Sequence, residues 1–330
     1  MMELIRTSKF AEFVSHFIDN FTLVDIGCSG GAHPNWNSFG DKLHVWGFDV
    51  NIQEVARLNA SSPEHIRYFD GAIVGKNRRK PAGRNPWYRL AVYRTLKLTQ
   101  ERRLAASSEE KTAANDWHLT EMSKREIHLP SFFKEKGLSS IDFVKIDIDG
   151  PDFDVIESLK TTFSTHQVIG VCMEVNWIGS GSPDEHSFHN TDRFLRECGF
   201  DLYDFTKRTY SLAALPSPYA LPFPAQSVSG RPLQGDAVYL RDLAYSAQKK
   251  RAERYSPEKL LKLAAMFAMI GQPDSAANVL LTFRDRLEPI FSVDEGLERL
   301  FEESGWAEKF SSYSDLVAAF DNDDRRFYPS

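Results

Sequence analysis

The sequence predicts an α/β protein built on a doubly wound, mostly parallel β-sheet that is followed by a small C-terminal helical appendage. Two observations predict it. Short apolar runs alternate with helical patterns along most of the chain. Beyond residue 242 only helical patterns remain. We therefore predict one domain over residues 1–242 and a C-terminal helical extension over residues 243–330.

Each predicted element rests on a hydrophobic period. Apolar residues three and four apart indicate amphipathic helices, and short continuous apolar runs indicate buried strands. Ser256 and Pro257 are favourable residues for starting a helix, and Gly271-Gln272-Pro273 interrupts a predicted helical hairpin. The predicted helices cover residues 8–19, 52–60, 129–137, 153–159, 187–198, 260–270 and 274–283, and the predicted strands cover residues 21–26, 43–48, 66–69, 141–148, 168–175, 200–205 and 237–240.

A strongly basic segment interrupts the alternation over residues 76–116. Residues 76–103 carry ten Lys and Arg against a single acid, Glu101, in a chain whose net charge is -6. Aromatic residues lie among the basic ones. We predict an insertion that either holds an anionic acceptor or forms a solvated face. The negative net charge argues against a protein devoted to nucleic acid.

Cysteine usage and hydropathy predict a cytoplasmic protein. The three cysteines lie far apart without metal-ligand spacing, which fits a reducing compartment and buried apolar roles. No apolar run approaches the ~20 residues that a membrane-spanning helix needs. A lone helical hairpin near the C-terminus is typical of a packing or dimerisation element, so a homodimer is one expectation.

A glycine-rich turn follows the first predicted strand. Gly27 and Gly31 allow close approach of a ligand, and the N–H groups of the turn, including that of Ser29, are expected to face it. The spacing does not meet the G-x-G-x-x-G pattern of dinucleotide enzymes. Asp25 would oppose a pyrophosphate but suits the positive groups of S-adenosylmethionine. The turn therefore predicts an S-adenosylmethionine site, with an ordinary glycine turn as the alternative.

The next two predicted strands end in Asp49 and Asp70. A carboxylate at the position of Asp49 can accept two hydrogen bonds from ribose hydroxyls. The alternative is that Asp49 caps the following helix, a function that Asn51 could share. Asp70 could accept a hydrogen bond from the adenine amino group. Three successive strands ending in acids support a nucleoside-binding edge more strongly than any one of them.

Further acids follow the two most apolar strands. Asp147 and Asp149 end the strand at 141–148, and Glu174 lies near the end of the strand at 168–175. Carboxylates crowded at this edge repel each other unless one is protonated, bound to a metal or paired with Lys145, and an acid with a raised pKa is a suitable general base. We therefore predict Asp147, Asp149 and Glu174 as catalytic candidates.

This group of charged residues also has structural interpretations. Asp147 could cap the helix predicted from residue 153, and Lys145 could form a surface pair with Asp142. His186 and His189 are the next candidates for a base, with a solvated loop as the alternative.

Together these motifs resemble the FkbM family of methyltransferases. They are Val24-Asp25-Ile26-Gly27 with Gly31, Gly47-Phe48-Asp49-Val50-Asn51 and Phe143-Val144-Lys145-Ile146-Asp147-Ile148-Asp149-Gly150. The resemblance covers residues 21–242 and implies a class I, Rossmann-like methyltransferase sheet and O-methylation of sugars in polysaccharides, glycolipids or antibiotics. The family commonly has Glu where this chain has Asp49 and Asp149, and the basic insertion is unusually long.

The resulting prediction is a methyltransferase that uses S-adenosylmethionine to methylate a hydroxyl of a sugar or glycoconjugate, which the basic segment suggests is anionic. A sugar hydroxyl must lose its proton as it attacks, so we expect either a base or a metal such as Mg²⁺, although no metal-ligand motif is present in the sequence. The alternatives are a non-catalytic cofactor-binding scaffold in glycan assembly, an RNA methyltransferase and, more distantly, a dinucleotide oxidoreductase.

Overall fold

The computed structural model describes residues 4–75, 122–148, 150–179, 181–211, 217–218, 220, 226–245 and 249–328. The predicted basic insertion at 76–116 lies wholly outside these residues, and so does Asp149. Contacts divide the chain into two compact units, the first holding residues 22–32 and 45–239 and the second residues 2–21, 33–44 and 240–330. The predicted boundary at residue 242 stays a prediction, since compactness alone does not show which part folds independently.

The described elements follow the predicted alternation of strands and helices. The strands are β1 Phe21–Ile26, β2 Leu43–Asp49, β3 Ile66–Asp70, β4 Ala72–Ile73, β5 Glu126–Ile127, β6 Phe143–Ile146, β7 Gly170–Asn176, β8 Asp201–Phe205, β9 Arg208–Tyr210 and β10 Arg231–Leu240. The α-helices are α1 Lys9–Ser15, α2 Ile52–Ser61, α3 Leu129–Lys136, α4 Asp152–Ser158, α5 Lys160–Thr165, α6 Phe188–Glu197, α7 Lys249–Ala252, α8 Pro257–Met269, α9 Pro273–Thr282, α10 Arg284–Leu287, α11 Val293–Glu303 and α12 Tyr313–Asn322.

The main sheet confirms the predicted mostly parallel α/β fold. Its strand order is β3-β2-β1-β6-β7-β10-β8, and β9 pairs with β10. The pairs β2–β3, β1–β6 and β6–β7 are parallel, whereas β9 is antiparallel to β10. Because parallel strands end at the same edge of a sheet, the acids at or next to the ends of β1, β2, β3, β6 and β7 are brought to one edge.

A continuous apolar core packs against this sheet. Every residue of β1 is buried, and six of the seven residues of β7 are buried. The core also includes Phe132 and Phe133 of α3, Val155 and Ile156 of α4, and Leu195 of α6. Strands buried on both faces appear in the sequence as continuous apolar runs, which explains why these strands could be predicted.

Two strands differ most in length from the prediction. The strand predicted at 141–148 is shorter and covers only Phe143–Ile146. Just before it, the carboxylate of Asp142 accepts a hydrogen bond from the Thr22 N–H at 2.7 Å. The last strand is longer than predicted and begins at Arg231. Its first two residues are exposed, so no apolar run marks the start of the strand.

The second unit contains the predicted helical hairpin, with α8 and α9 on either side of Gly271. Ser256 caps α8 by accepting a hydrogen bond from the Lys259 N–H, as predicted. In the same unit the carboxylate of Glu303 accepts hydrogen bonds from the N–H groups of Lys9 and Phe10 at the start of α1. Among the described residues, no helix is long and apolar enough to cross a membrane.

Candidate functional site

A buried ion pair links the first strand to its neighbour. β1 and β6 are in register at Asp25 and Lys145, and the Lys145 Nζ lies 2.9 Å from the Asp25 Oδ1. The same ammonium donates a hydrogen bond of 2.8 Å to the carbonyl oxygen of Gly27. The side chains are 5% and 11% exposed for Asp25 and Lys145, respectively. Lys145 therefore holds the end of β1 and the start of the glycine turn against β6, and the alternative surface pair with Asp142 is wrong.

The charges of this pair depend on its burial. Burial raises the pKa of Asp25, and the Lys145 ammonium opposes that shift. Burial by itself lowers the pKa of Lys145, but the neighbouring carboxylates of Asp25 and Asp147 outweigh it, so the pKa of Lys145 is raised. Lys145 is therefore protonated at neutral pH. Because Asp25 is buried and paired, it offers little surface to a ligand, and its predicted contact with the donor stays a prediction.

The glycine turn has the backbone conformation that the sequence predicts. Gly27, Gly30 and Gly31 have φ angles of 82°, 85° and 85°, in the left-handed region that favours glycine. A Cβ at Gly30 would meet no heavy atom within 4 Å, and Ser29 is exposed, so the outer side of the turn is open. This open side is where a ligand can approach the backbone.

Most N–H groups of the turn have internal partners, which corrects for those groups the expectation that they face a ligand. For the N–H of Ser29 it stays a prediction. The N–H groups of Gly27 and Cys28 donate to the carbonyl oxygen of Phe48. The Gly30 N–H donates to the Glu54 Oε1 at 2.9 Å, and the Ala32 N–H donates to the Tyr68 hydroxyl at 3.2 Å. In addition, the next helical element, Pro34–Lys42, is a 3-10 helix. The turn therefore offers a ligand an open surface, and few of its N–H groups are available as hydrogen-bond donors.

The predicted ribose and adenine acids lie side by side. β2 and β3 are in register at Asp49 and Asp70. The Asp49 Oδ1 accepts the Asn51 N–H at 2.8 Å, while Asn51 itself caps α2 by accepting the Glu54 N–H at 3.0 Å. Asp49 is thus not the cap of α2. The Asp70 Oδ2 accepts a hydrogen bond from the Ser123 hydroxyl at 2.8 Å. Both predicted contacts with a nucleoside stay predictions.

Asp147 directly follows β6 and lies beside the glycine turn. Its N–H donates to the Ile26 carbonyl oxygen at 2.9 Å. A Cβ on Gly27 would overlap the carbonyl oxygen of Asp147, so the backbones of the two loops are in direct contact. Helix α4 begins at Asp152, with Pro151 at the N-cap position, so Asp147 does not cap it. The structure therefore brings Asp147 next to the predicted donor turn.

Glu174 is held by an arginine that the sequence did not suggest. The Arg208 Nη1 lies 2.6 Å from the Glu174 Oε2, and the Arg208 Nη2 lies 2.7 Å from the Asp236 Oδ1. Glu174 and Asp236 are 7% and 1% exposed. Burial opposes the charge on Arg208, but the two carboxylates outweigh it and raise its pKa. A carboxylate paired in this way is held in position, and the role of Glu174 as a base stays a prediction.

Of the two candidate histidines, His186 lies closer to the sheet edge. Its Nε2 lies 2.8 Å from the carbonyl oxygen of Glu174, and because a carbonyl only accepts, Nε2 carries the hydrogen. Its Nδ1 lies 3.8 Å from the Asp152 Oδ2. His189 is exposed, and its Nδ1 contacts the hydroxyl of Ser187 at 3.1 Å. His186 therefore joins the end of β7 to the start of α4.

No group of three or more His, Cys, Asp or Glu residues that could hold a metal ion is found in the part of the chain that the structure describes. Mg²⁺ as a further requirement stays a prediction from the chemistry of the acceptor.

Sequence reasoning missed Glu54, Asp152, Arg208 and Asp236. Glu54 could have been suspected, because Asn51 and Glu54 have the spacing of a capping box. The Glu54 carboxylate does not complete the capping box with the Asn51 N–H. It accepts a hydrogen bond from the Gly30 N–H and pairs with Arg57. Arg208 and Asp236 carry no comparable signal, since the residues that they contact are distant in the chain.

Three comparisons with known proteins place these features in context. Residues 42–202 match the model of the methyltransferase FkbM domain, a range that begins after the glycine turn. A search of curated proteins found no match. Solved structures with some similarity include three proteins described as methyltransferases or fibrillarins.

The first of these structures is the fibrillarin pre-rRNA processing protein of Methanococcus jannaschii, with a TM-score of 0.34 and 11% identity over 68% of each chain. A TehB-like SAM-dependent methyltransferase from Corynebacterium glutamicum has a TM-score of 0.29 and 9% identity over 71% of this chain and 88% of its own. The Aeropyrum pernix fibrillarin, solved with natively bound S-adenosyl-L-methionine, has a TM-score of 0.31 and 10% identity over 67% of this chain and 66% of its own. Similarity at this level identifies neither a substrate nor an activity. The family match, by contrast, agrees with the resemblance noted in the sequence, and the chain contains a methyltransferase FkbM domain.

Proposed function

We propose that the chain binds S-adenosylmethionine at the edge formed by β1, β2 and β3 and methylates a hydroxyl of a sugar or glycoconjugate. The observation that carries the proposal is the direct backbone contact between Gly27 in the glycine turn and Asp147 after β6. That contact brings a candidate base next to the predicted donor turn. A cytoplasmic location and a homodimer stay predictions alongside it.

The residues at this edge fit the donor in shape and in chemistry. The open space above Gly30 leaves room for a ligand against the turn. Asp49, at the end of β2, is half-buried and can accept hydrogen bonds from vicinal hydroxyls. When bound, S-adenosylmethionine supplies an electrophilic methyl group. The protein's part is then to position the acceptor oxygen and remove its proton.

Asp147 is the better placed of the described candidate bases. The backbone that carries it is fixed on β1 through the hydrogen bond to Ile26, and its carboxylate interacts with the Lys145 charge. Glu174, by contrast, is paired with Arg208 and accepts a further hydrogen bond from Gln234 at 3.3 Å. We propose that Asp147 accepts the proton of the acceptor hydroxyl, while Glu174 helps to shape the acceptor side. Asp149 stays a candidate on sequence grounds.

The first experiment is calorimetric titration of the purified chain with S-adenosylmethionine and S-adenosylhomocysteine, with NAD as the control ligand. Micromolar binding of the first two without NAD binding supports the donor site. Acceptors are then screened with and without Mg²⁺: nucleotide-linked sugars, neutral oligosaccharides and RNA. Methylation of a sugar hydroxyl supports the proposal. Methylation of RNA, or donor binding without any turnover, would replace it with the corresponding alternative, and absence of donor binding would overturn it.

We expect the substitution Asp49→Ala to weaken donor binding by ~1–3 kcal/mol, because ribose hydroxyls would lose their hydrogen-bond acceptor. The measurement is calorimetry with S-adenosylhomocysteine. Asp204→Ala is the matched control, since Asp204 also accepts a backbone N–H next to the end of a strand, from Phe205 at 2.8 Å, but lies on β8 at the other end of the sheet. Unchanged affinity in a folded Asp49→Ala variant would remove Asp49 from the site.

We expect Asp147→Asn to leave donor affinity close to that of the unmodified protein and to lower turnover by about 10²–10⁴-fold, the usual contribution of a general base. The amide keeps the shape of the side chain but cannot take a proton at neutral pH. Turnover is measured with the acceptor that the screen identifies. Full activity in this variant would exclude Asp147 as the base and leave Asp149 as the next candidate.

A further inference from the structure

The first residue of α4 is a buried acid with two backbone donors. Asp152 is 1% exposed. Its Oδ1 accepts the Ile148 N–H at 3.1 Å, and its Oδ2 accepts the Gly150 N–H at 2.9 Å. Both N–H groups belong to the turn between β6 and α4, which begins with Asp147. The Asp152 carboxylate therefore holds this turn through two hydrogen bonds to its backbone.

The turn that Asp152 closes is in contact with the glycine turn on β1. A Cβ on Gly27 would overlap the Asp147 carbonyl oxygen and would lie 3.2 Å from the Ile148 Cγ2. The Gly27 carbonyl oxygen is in turn held by Lys145 from β6. Because the Asp147 carbonyl group contacts Gly27 directly, a displacement of the turn at Asp147 is passed to Gly27. The position of the glycine turn thus depends on the conformation that Asp152 fixes.

A histidine joins Asp152 to the neighbouring strand. The His186 Nδ1 lies 3.8 Å from the Asp152 Oδ2, and its Nε2 donates to the carbonyl oxygen of Glu174 at 2.8 Å. The main chain of His186 is also held, because its carbonyl oxygen accepts a hydrogen bond of 3.0 Å from the Asn176 side chain. The imidazole of His186 therefore lies between Asp152 and the end of β7.

We infer that Asp152 is a positioning residue of the donor site. Its carboxylate holds the turn at Asp147 in the conformation that supports the glycine turn, and so sets the affinity for S-adenosylmethionine without touching it. This inference rests on the proposed function for its ligand. Its structural part, that Asp152 orders the Ile148 and Gly150 N–H groups, can be tested independently of any ligand.

The test compares Asp152→Asn with Asp154→Asn. In Asp152→Asn the new NH₂ group cannot accept, so one of the two buried backbone N–H groups loses its partner. Asp154 lies in the same first turn of α4 and is 6% exposed, but both of its carboxylate oxygens are without a hydrogen-bond partner among the described residues. The same chemical change there removes no hydrogen bond. The two variants therefore differ in the contact under test and not in the kind of substitution.

Two measurements are made on the full chain: calorimetry with S-adenosylhomocysteine and residue-resolved amide hydrogen exchange. For Asp152→Asn we expect about tenfold weaker binding and faster exchange at whichever of Ile148 and Gly150 loses its acceptor, with exchange in the helices of the second unit unchanged. For Asp154→Asn we expect unchanged affinity and exchange. A general loss of structure would instead raise exchange across the chain, which would overturn a local positioning role.

The outcomes separate this inference from the proposed function. If the unmodified chain binds no S-adenosylhomocysteine, the proposed function fails, and with it the donor-site role of Asp152. If it binds and Asp152→Asn binds equally well, the proposed function stands and the positioning role is overturned. Unchanged exchange at Ile148 and Gly150 in Asp152→Asn would overturn the structural part in either case.

Discussion

Replacing Gly27 by alanine is expected to destabilise the protein by about 2–5 kcal/mol and to abolish measurable donor binding. About 1–2 kcal/mol comes from the left-handed backbone conformation, since the φ angle of Gly27 is 82°. A further ~1–3 kcal/mol comes from overpacking, because the new methyl group would overlap the Asp147 carbonyl oxygen. This neighbour is backbone that is itself hydrogen-bonded, so it cannot move aside cheaply.

Gly30→Ala separates the two contributions. Gly30 has nearly the same φ angle, 85°, but a Cβ there meets no heavy atom within 4 Å. We expect this control to lose only ~1–2 kcal/mol. Urea unfolding followed by circular dichroism gives both values. If Gly27→Ala proved no more harmful than Gly30→Ala, the contact between the glycine turn and the turn at Asp147 would not be tight, and the basis of the proposed function would be lost.

The sheet could be predicted from the sequence because its strands are short apolar runs. β1 and β7 are almost fully buried, so neither shows the alternation that would confuse them with surface strands. The start of β10 could not be predicted, since its first residues are exposed and contribute to pairing through their backbone. Strand boundaries of this kind are set by backbone hydrogen bonding, which does not appear in the pattern of apolar residues.

The site was predictable to the extent that its residues lie at strand ends. Asp49 and Asp70, and likewise Gly27 and Asp147, were expected at one edge from their positions along the chain alone. Their partners were not predictable, because Lys145 pairs with Asp25 and Arg208 with Glu174 across separate elements. The same holds for the N–H groups of the glycine turn. The sequence suggests free donors, and only the fold reveals that Phe48, Glu54 and Tyr68 accept from them.

Lys145→Met is expected to cost about 3–5 kcal/mol of the free energy of unfolding, because it leaves the carboxylate of Asp25 buried without its partner. Methionine has a similar length and fills the same space, so the lost charge is the main change. The Gly27 carbonyl oxygen also loses the hydrogen bond from Lys145. The double variant Asp25→Asn/Lys145→Met removes both charges, and we expect it to be more stable than Lys145→Met alone.

The pH dependence of Lys145→Met gives a further check on the same contact. Burial already raises the pKa of Asp25 while Lys145 opposes the shift, so removing Lys145 raises that pKa further. A carboxyl group whose pKa is higher in the folded state than in the unfolded state gives its full stabilisation below the unfolded pKa and loses it as the pH rises through the folded pKa. The stability deficit of Lys145→Met should therefore shrink on acidification, whereas the double variant should lack this dependence. A deficit that did not change with pH would mean that Asp25 is solvated once Lys145 is removed, and the Asp25–Lys145 pair would then contribute to local geometry more than to the electrostatics of a buried site.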